Sequence, residues 1–120
     1  MNYLIDTNII IYHLNGNQNA TDFVIANYKN ITVSFISYIE VLSYPYTLDE
    51  FNEIKKFMDS FYRIDINNQI ILQTIDLRKV SKIKIPDCII GATALINKQT
   101  LVIRNVKDYK NFGIKLLNIF

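Results

Sequence analysis

Four acidic residues stand where a short apolar run gives way to a helix or a turn. Asp6 lies between "YLI" and "NIII", Glu40 sits inside "SYIEVL", Asp87 follows Pro86 and opens "DCIIGATAL", and Asp108 ends "IRNVKD". Two like charges at 4 Å repel by about 1 kcal/mol in water and about 4 kcal/mol at an effective dielectric near 20. Carboxylates that meet in space therefore call for a proton or a cation. With His13 and Cys88 the only residues of their kinds, the donors are oxygens, which points to a hard ion such as Mg²⁺ or Mn²⁺ and away from Zn²⁺. A hard ion held by carboxylates suits chemistry on phosphate, where it polarises a phosphoryl oxygen and activates a bound water.

Each acid also has a purely structural reading. Ser37-x-x-Glu40 fits a capping box. Asp87 beside Pro86 suits a helix start, where the macrodipole favours a negative charge. Asp6 suits the cap of the helix that follows, and Asp108 an ordinary turn. Against these readings, Ile39, Val41, Cys88 and Ile89 flank Glu40 and Asp87 and place both close to a core. Convergence decides between the two.

The elements that would bring them together are visible in the apolar pattern. Strand-length runs occupy 2–5, 31–35, 62–66, 100–103 and 115–119. Helical spacing covers 8–14, 18–29, 37–44 (stopped near Pro45) and 47–61, with Thr47 as N-cap. Leu48, Phe51, Ile54, Phe57, Met58 and Phe61 share one face of the last of these. A further helix over 68–81 points Ile70, Ile71, Ile75 and Leu77 or Leu72 inward, and an apolar helix follows Pro86. Strands alternating with helices predict an α/β fold, a three-layer α/β/α arrangement on a mainly parallel sheet. Ligands of such sheets sit outside the carboxyl ends of the strands, near a switch in strand order. All four acids fall within about a turn of that edge, so one cleft can gather them.

At 120 residues the chain is expected to form a single domain, 1–120, that buries roughly two-thirds of its unfolded surface. Half the residues are hydrophobic and 20% are charged, with 8 Tyr and 7 Phe, a composition that excludes the disordered class. Without a signal peptide or an apolar run of roughly 20 residues, a soluble intracellular protein is expected. A lone Cys88 forms no disulfide within the chain and reads as a small core hydrophobe; His13 reads as a helix-surface or interface residue. Residues 1–60 carry three Lys/Arg against seven Asp/Glu, and residues 61–120 ten against four. The basic half would attract a polyanion such as nucleic acid, or an acidic partner segment. Its ordinary reading is a solvated lysine-rich surface.

Taken in order, "YLIDTNIII", "SFISYIEVL", "IPDCIIGATAL" and "VIRNVKDYKNF" resemble a PIN domain, and in particular the small VapC-type toxins of bacterial toxin–antitoxin pairs. The likeness runs from about residue 2 to the end of the chain. It implies a Rossmann-like α/β/α fold and Mg²⁺-dependent endoribonuclease activity, with Mn²⁺ as a substitute. By position, Asp6 matches the first metal ligand, Glu40 the second acid and Asp87 the third and a metal ligand. Asn8 and Ser37 match residues that support the acidic pocket. The fourth acid departs from the family pattern: Asn105 stands where an Asp often follows the Arg, Asp108 is the later acid, and Ile103 replaces the usual hydroxyl residue. Either Asn105 or Asp108 reaches the site.

In the mechanism so implied, Asp6 and Asp87 bind the ion and Glu40 orients or deprotonates the attacking water. Arg104, Lys107 and Lys82 hold the RNA backbone, and Tyr3, Tyr12 and Tyr44 are candidates for base stacking, with buried packing as their ordinary role. The resemblance further implies cleavage of tRNA, rRNA or mRNA in the cytoplasm, a homodimer, and a cognate antitoxin that covers the acidic pocket. The N-terminal helices and 47–61 are the expected contact surfaces. Three rivals remain. A phosphoacceptor signalling domain would need two acids after the first strand, and only Asp6 is there. A catalytically degenerate PIN-like binding module and an RNA-processing PIN nuclease without an antitoxin share the fold.

Overall fold

The structure, a computed structural model, describes residues 2–120. Five strands form its sheet: β1 (Tyr3–Ile5), β2 (Ile31–Ser34), β3 (Tyr62–Ile64), β4 (Thr100–Val102) and β5 (Leu116–Leu117). All neighbours pair in parallel, in the order β3-β2-β1-β4-β5. Six helices connect them: α1 (Thr7–Leu14), α2 (Gln18–Asn27), α3 (Phe35–Leu42), α4 (Leu48–Asp59), α5 (Asn68–Lys79) and α6 (Ile85–Ile96), with 3₁₀ turns at Tyr28–Asn30 and Val106–Tyr109.

Strand alternation sorts the helices into two layers. Successive side chains of a strand point to opposite faces. Leu4 and Leu101 pack with Ile90 and Ala94 of α6, while their neighbours Ile5 and Val102 pack with Ile9, Val24, Val41 and Met58 of α1, α2, α3 and α4. A sheet covered on both sides needs apolar residues at consecutive strand positions, which is why the strands read as continuous apolar runs. The three-layer α/β/α expectation is met. No helix among the described residues is long and apolar enough to cross a membrane.

Several boundaries and faces differ from the sequence reading, each for a local reason. Helix α3 begins at Phe35, two residues early, because Ser34 caps it: its hydroxyl accepts from the Ile36 N–H at 3.1 Å. Ser37 therefore lies inside the helix, and no Ser37–Glu40 capping box exists. The expected cap of α4 is found, with Thr47 and Glu50 closing a reciprocal capping box, but Leu48 is exposed and only Met58 and Phe61 of its face are fully buried. Pro86 falls inside the first turn of α6, a place where no N–H is needed. On α5, Ile70, Thr74 and Leu77 face the core, whereas Ile71, Leu72 and Ile75 are 44%, 55% and 46% exposed. Thr74 can occupy the inner face because its hydroxyl donates to the Ile70 carbonyl at 2.7 Å, satisfying the buried polar group.

Candidate functional site

Strand order turns at β1, with β2 and β3 to one side and β4 and β5 to the other. The crevice such a turn creates opens at the carboxyl ends of β1 and β4. Asp6, the first residue after β1, donates its backbone N–H to the Val102 carbonyl at 3.0 Å, which ties the two strand ends together. A cavity of about 250 Å³ opens there. Asp6, Asp87 and Asp108 line it together with Asn8 and Asn105, and Tyr12, Ile103, Arg104 and Tyr109 complete the lining.

Asp6 occupies the N-cap position of α1 without closing a side-chain cap hydrogen bond. Its carboxyl is pushed up to about 6 from 3.8, first by burial and then by the charge of Asp87, with Glu40 adding a smaller push. The N–H groups of Asn8 and Thr7 face the carboxylate and pull the other way. Asp87, in the first turn of α6, is also raised: burial leads, followed by the charges of Glu40 and Asp108, while Lys84 opposes them. Carboxylates from β1–α1, α3, α6 and the 3₁₀ turn at 106–109 thus feel one another.

Asp87 is placed by its backbone. The buried Tyr109 donates its hydroxyl to the Asp87 carbonyl at 3.0 Å. The Tyr109 ring lies against Gly91 of α6, where a Cβ would meet ring carbons at 3.0 and 3.2 Å. Gly91→Ala would gain about 1 kcal/mol of helix propensity but lose about 1–3 kcal/mol to overpacking. The expected result is a net loss of stability of about 1 kcal/mol, read as a lower midpoint in urea unfolding with an unchanged slope.

Glu40 lies outside the cavity lining and is exposed, so its apolar neighbours did not bury it; Ile39 is itself 54% exposed. A hydroxyl relay fixes it instead. Thr7 Oγ1 lies 2.7 Å from Glu40 Oε1 and 2.8 Å from Ser37 Oγ. A hydroxyl has one proton, so Thr7 gives its own to the carboxylate and takes one from Ser37, which is fully buried. Thr7, adjacent to Asp6 in "IDTN", is a residue the sequence reading passed over, as it did Tyr109.

Asn105 and Asp108 both line the cavity, and the Asn105 amide donates to Asp108 Oδ2 at 3.0 Å. The guanidinium of Arg104 stands 4.8 Å from the Phe120 ring centroid and 5.5 Å from that of Tyr12. Tyr3 packs on Phe23, and Tyr44 is exposed beside Tyr46. Cys88 is buried in the core, and His13 packs on Phe57 with Nδ1 3.0 Å from Thr21 Oγ1. Lys82 and Lys107 do not line the acidic cavity but an adjoining one.

The donor set can be tested against a hard cation. Among the described residues, no three His, Cys, Asp or Glu side chains form a group able to hold a metal ion. Mg²⁺ asks for less: it usually keeps several waters and takes one or two carboxylates. Asp6 and Asp87, all-oxygen donors on one cavity, with Asp6 raised first by burial and then by the charge of Asp87, fit that smaller requirement.

A family model described as PIN domain matches residues 3–114. No curated protein sequence gives a significant match. The chain is 28% identical to a chain of a toxin–antitoxin complex from Klebsiella pneumoniae, with TM-score 0.88 and 98% of each chain covered. A chain in VapBC2 from Rickettsia felis, bound to a DNA fragment from their promoter, is 24% identical with TM-score 0.82, again over 98% of each. In DNA-bound VapBC from Salmonella typhimurium the identity is 17% and the TM-score 0.86, covering 100% of this chain and 99% of that one. The last two likenesses are of fold alone.

Proposed function

We propose, given that this chain belongs to the PIN domain family, that it is a divalent-metal-dependent endoribonuclease and the toxin of a toxin–antitoxin pair. The observation that carries this reading is the raised Asp6 carboxyl facing Asp87 at the strand-end cavity. A carboxyl raised first by burial and then by a neighbouring carboxylate is a functional-site candidate, and a cation bound there would relieve both costs. The complexes that the chain resembles in fold support an antitoxin partner. The whole chain, 1–120, acts as one domain in the cytoplasm and pairs as a homodimer. Exposed Ile11, Ile25 and Leu48 give the N-terminal helices and α4 apolar surface for protein partners.

Asp6 and Asp87 would hold the ion, Mg²⁺ with Mn²⁺ as substitute, and once bound it supplies a polarised phosphoryl oxygen and an activated water. The residues of the chain do the rest. Glu40, held by Thr7, orients the attacking water and takes its proton. Asn8, Asn105 and Asp108 line the same cavity as the two ligand carboxylates. Arg104, an exposed residue of the cavity lining, neutralises a phosphate of tRNA, rRNA or mRNA single strands.

The test is cleavage of a labelled single-stranded RNA by the purified chain in Mg²⁺, Mn²⁺ or EDTA, beside growth of cells in which it is induced. The purified chain is expected to cleave with either metal and not in EDTA, induced cells to stop growing, and a carboxylate variant to do neither. Equal cleavage in EDTA overturns the metal role. RNA left intact under every condition overturns the nuclease reading in favour of a degenerate binding module, and cleavage without growth arrest favours an RNA-processing role. Thr7→Val, which keeps the side-chain shape and removes the bond to Glu40, is expected to lower kcat by roughly 10–100-fold with little change in KM.

A further inference from the structure

A cavity of about 560 Å³ adjoins the acidic one and shares Asp87 and Asp108 with it. Four lysines line it, Lys82 and Lys84 from the loop before α6 and Lys107 and Lys110 from the turn after β4. Among the described residues the ion pairs within 4 Å are Lys55–Asp59 and Arg63–Asp65, so none of the four ammonium groups is matched by a carboxylate at that range. Four lysines against the two carboxylates Asp87 and Asp108 leave the lining with a positive excess, which attracts an anion. Lys84 is near enough to Asp87 to offset part of the push on its carboxyl.

The wall before α6 is braced. Arg78 donates to the Ser81 carbonyl at 3.0 Å, the Cys88 thiol contacts the Ile83 carbonyl at 3.6 Å, and the Cys88 N–H donates to the Lys84 carbonyl at 2.9 Å. Ile83 and Phe112 give part of the lining an apolar surface. That combination suits a sugar–phosphate unit: ammonium groups for the phosphate and an apolar floor for a ribose or base face. The volume lies within the range typical of ligand sites.

We propose that this hollow seats the phosphates next to the scissile one. Resting on the nuclease reading, the inference is that single-stranded RNA crosses the Asp87–Asp108 ridge from the acidic cavity and lays its adjacent backbone among Lys82, Lys84, Lys107 and Lys110. The four lysines set how tightly, and on which side of the cut, the strand is held. Lys84 and Lys110 thereby acquire a role that the order of motifs in the sequence does not suggest. Because backbone contacts carry no base identity, the subsite holds the strand without choosing its sequence.

The test is equilibrium binding of a fluorescent ten-nucleotide oligouridylate to the Asp6→Asn chain, which holds RNA without cutting it, over a range of salt. Lys82→Gln/Lys84→Gln/Lys110→Gln is compared with Lys29→Gln, on the 3₁₀ turn before β2, in the same background, with circular dichroism confirming the fold of each. Each phosphate contact on a single strand contributes about 0.7 to the slope of log K against log salt. The triple variant is expected to lose about 2 from that slope and to bind at least roughly tenfold more weakly at low salt, with Lys29→Gln unchanged. An unaltered slope and affinity in the triple variant overturns the subsite; if the otherwise wild-type chain still cuts RNA, the nuclease reading survives. No binding and no cutting by any form overturns both. An oligoglutamate peptide that binds the lysines more tightly than the oligonucleotide would assign the hollow to an acidic protein segment and reject the proposal.

Discussion

Asp87→Asn is expected to lower RNA cleavage by at least about 10³-fold while the protein stays folded. The substitution removes one of the two carboxylates proposed to hold the cation and leaves a neutral amide of the same shape. Loss of a single preorganised electrostatic contact at a reacting centre costs about 10²–10³ in kcat, and a lost metal ligand also empties the site at ordinary ion concentrations. Folding should survive because the residue is anchored through its carbonyl, to which Tyr109 donates, and through the helix it opens. Single-turnover cleavage at saturating Mn²⁺, beside a thermal melt, checks both parts. Retained cleavage would remove Asp87 from the chemistry, and a collapsed melt would make its role structural.

Asp6→Asn should do something less common: inactivate the protein and stabilise it. The carboxyl of Asp6 is raised from 3.8 to about 6, so between those values the folded state binds more protons than the unfolded one. Stability from this group is then full below about pH 4, declines as pH rises, and is gone above about pH 6. A shift of about two units corresponds to roughly 2–3 kcal/mol. In EDTA at pH 7 the variant, which has no charge to bury, is expected to unfold at a temperature roughly 5–10 °C higher than wild type, and the gap should close at pH 4. Adding Mn²⁺ at pH 7 should raise the wild-type midpoint and leave the variant where it was. Identical melts at pH 7 in EDTA would mean that neither burial nor its acidic neighbours penalise the charge of Asp6.

The layer arrangement was legible because five apolar runs alternate with helical spacing, a pattern that few arrangements other than a covered parallel sheet accommodate. Asp6 was legible for the same reason, since a carboxylate directly after a central strand falls at the sheet edge wherever register settles. What escaped depended on choices that the pattern leaves open. Ser34 and Ser37 both qualify as caps three residues apart, and the end of β2, not either serine, decided that Ser34 caps and Ser37 joins the Thr7–Glu40 relay. The apolar residues of α5 are scattered round the helix among polar ones, so periodicity could not choose its inner face; the backbone bond of Thr74 made a polar residue acceptable there. Tyr109 looked like one tyrosine among eight, and only the proximity of Gly91 gives it a place. Lys84 and Lys110 read as solvated charge until two loops from distant parts of the chain are set across one hollow.

Tyr109 grips the main chain of Asp87 and leaves the side chain alone. Position and reactivity are therefore entrusted to different atoms of the same residue, and either can drift over generations without dragging the other along. A lineage could trade the carboxylate for an amide, silencing the chemistry, and still inherit a properly seated α6 with its neighbouring surfaces intact. A scaffold with this separation is well suited to shed an activity while keeping whatever its outer faces recognise.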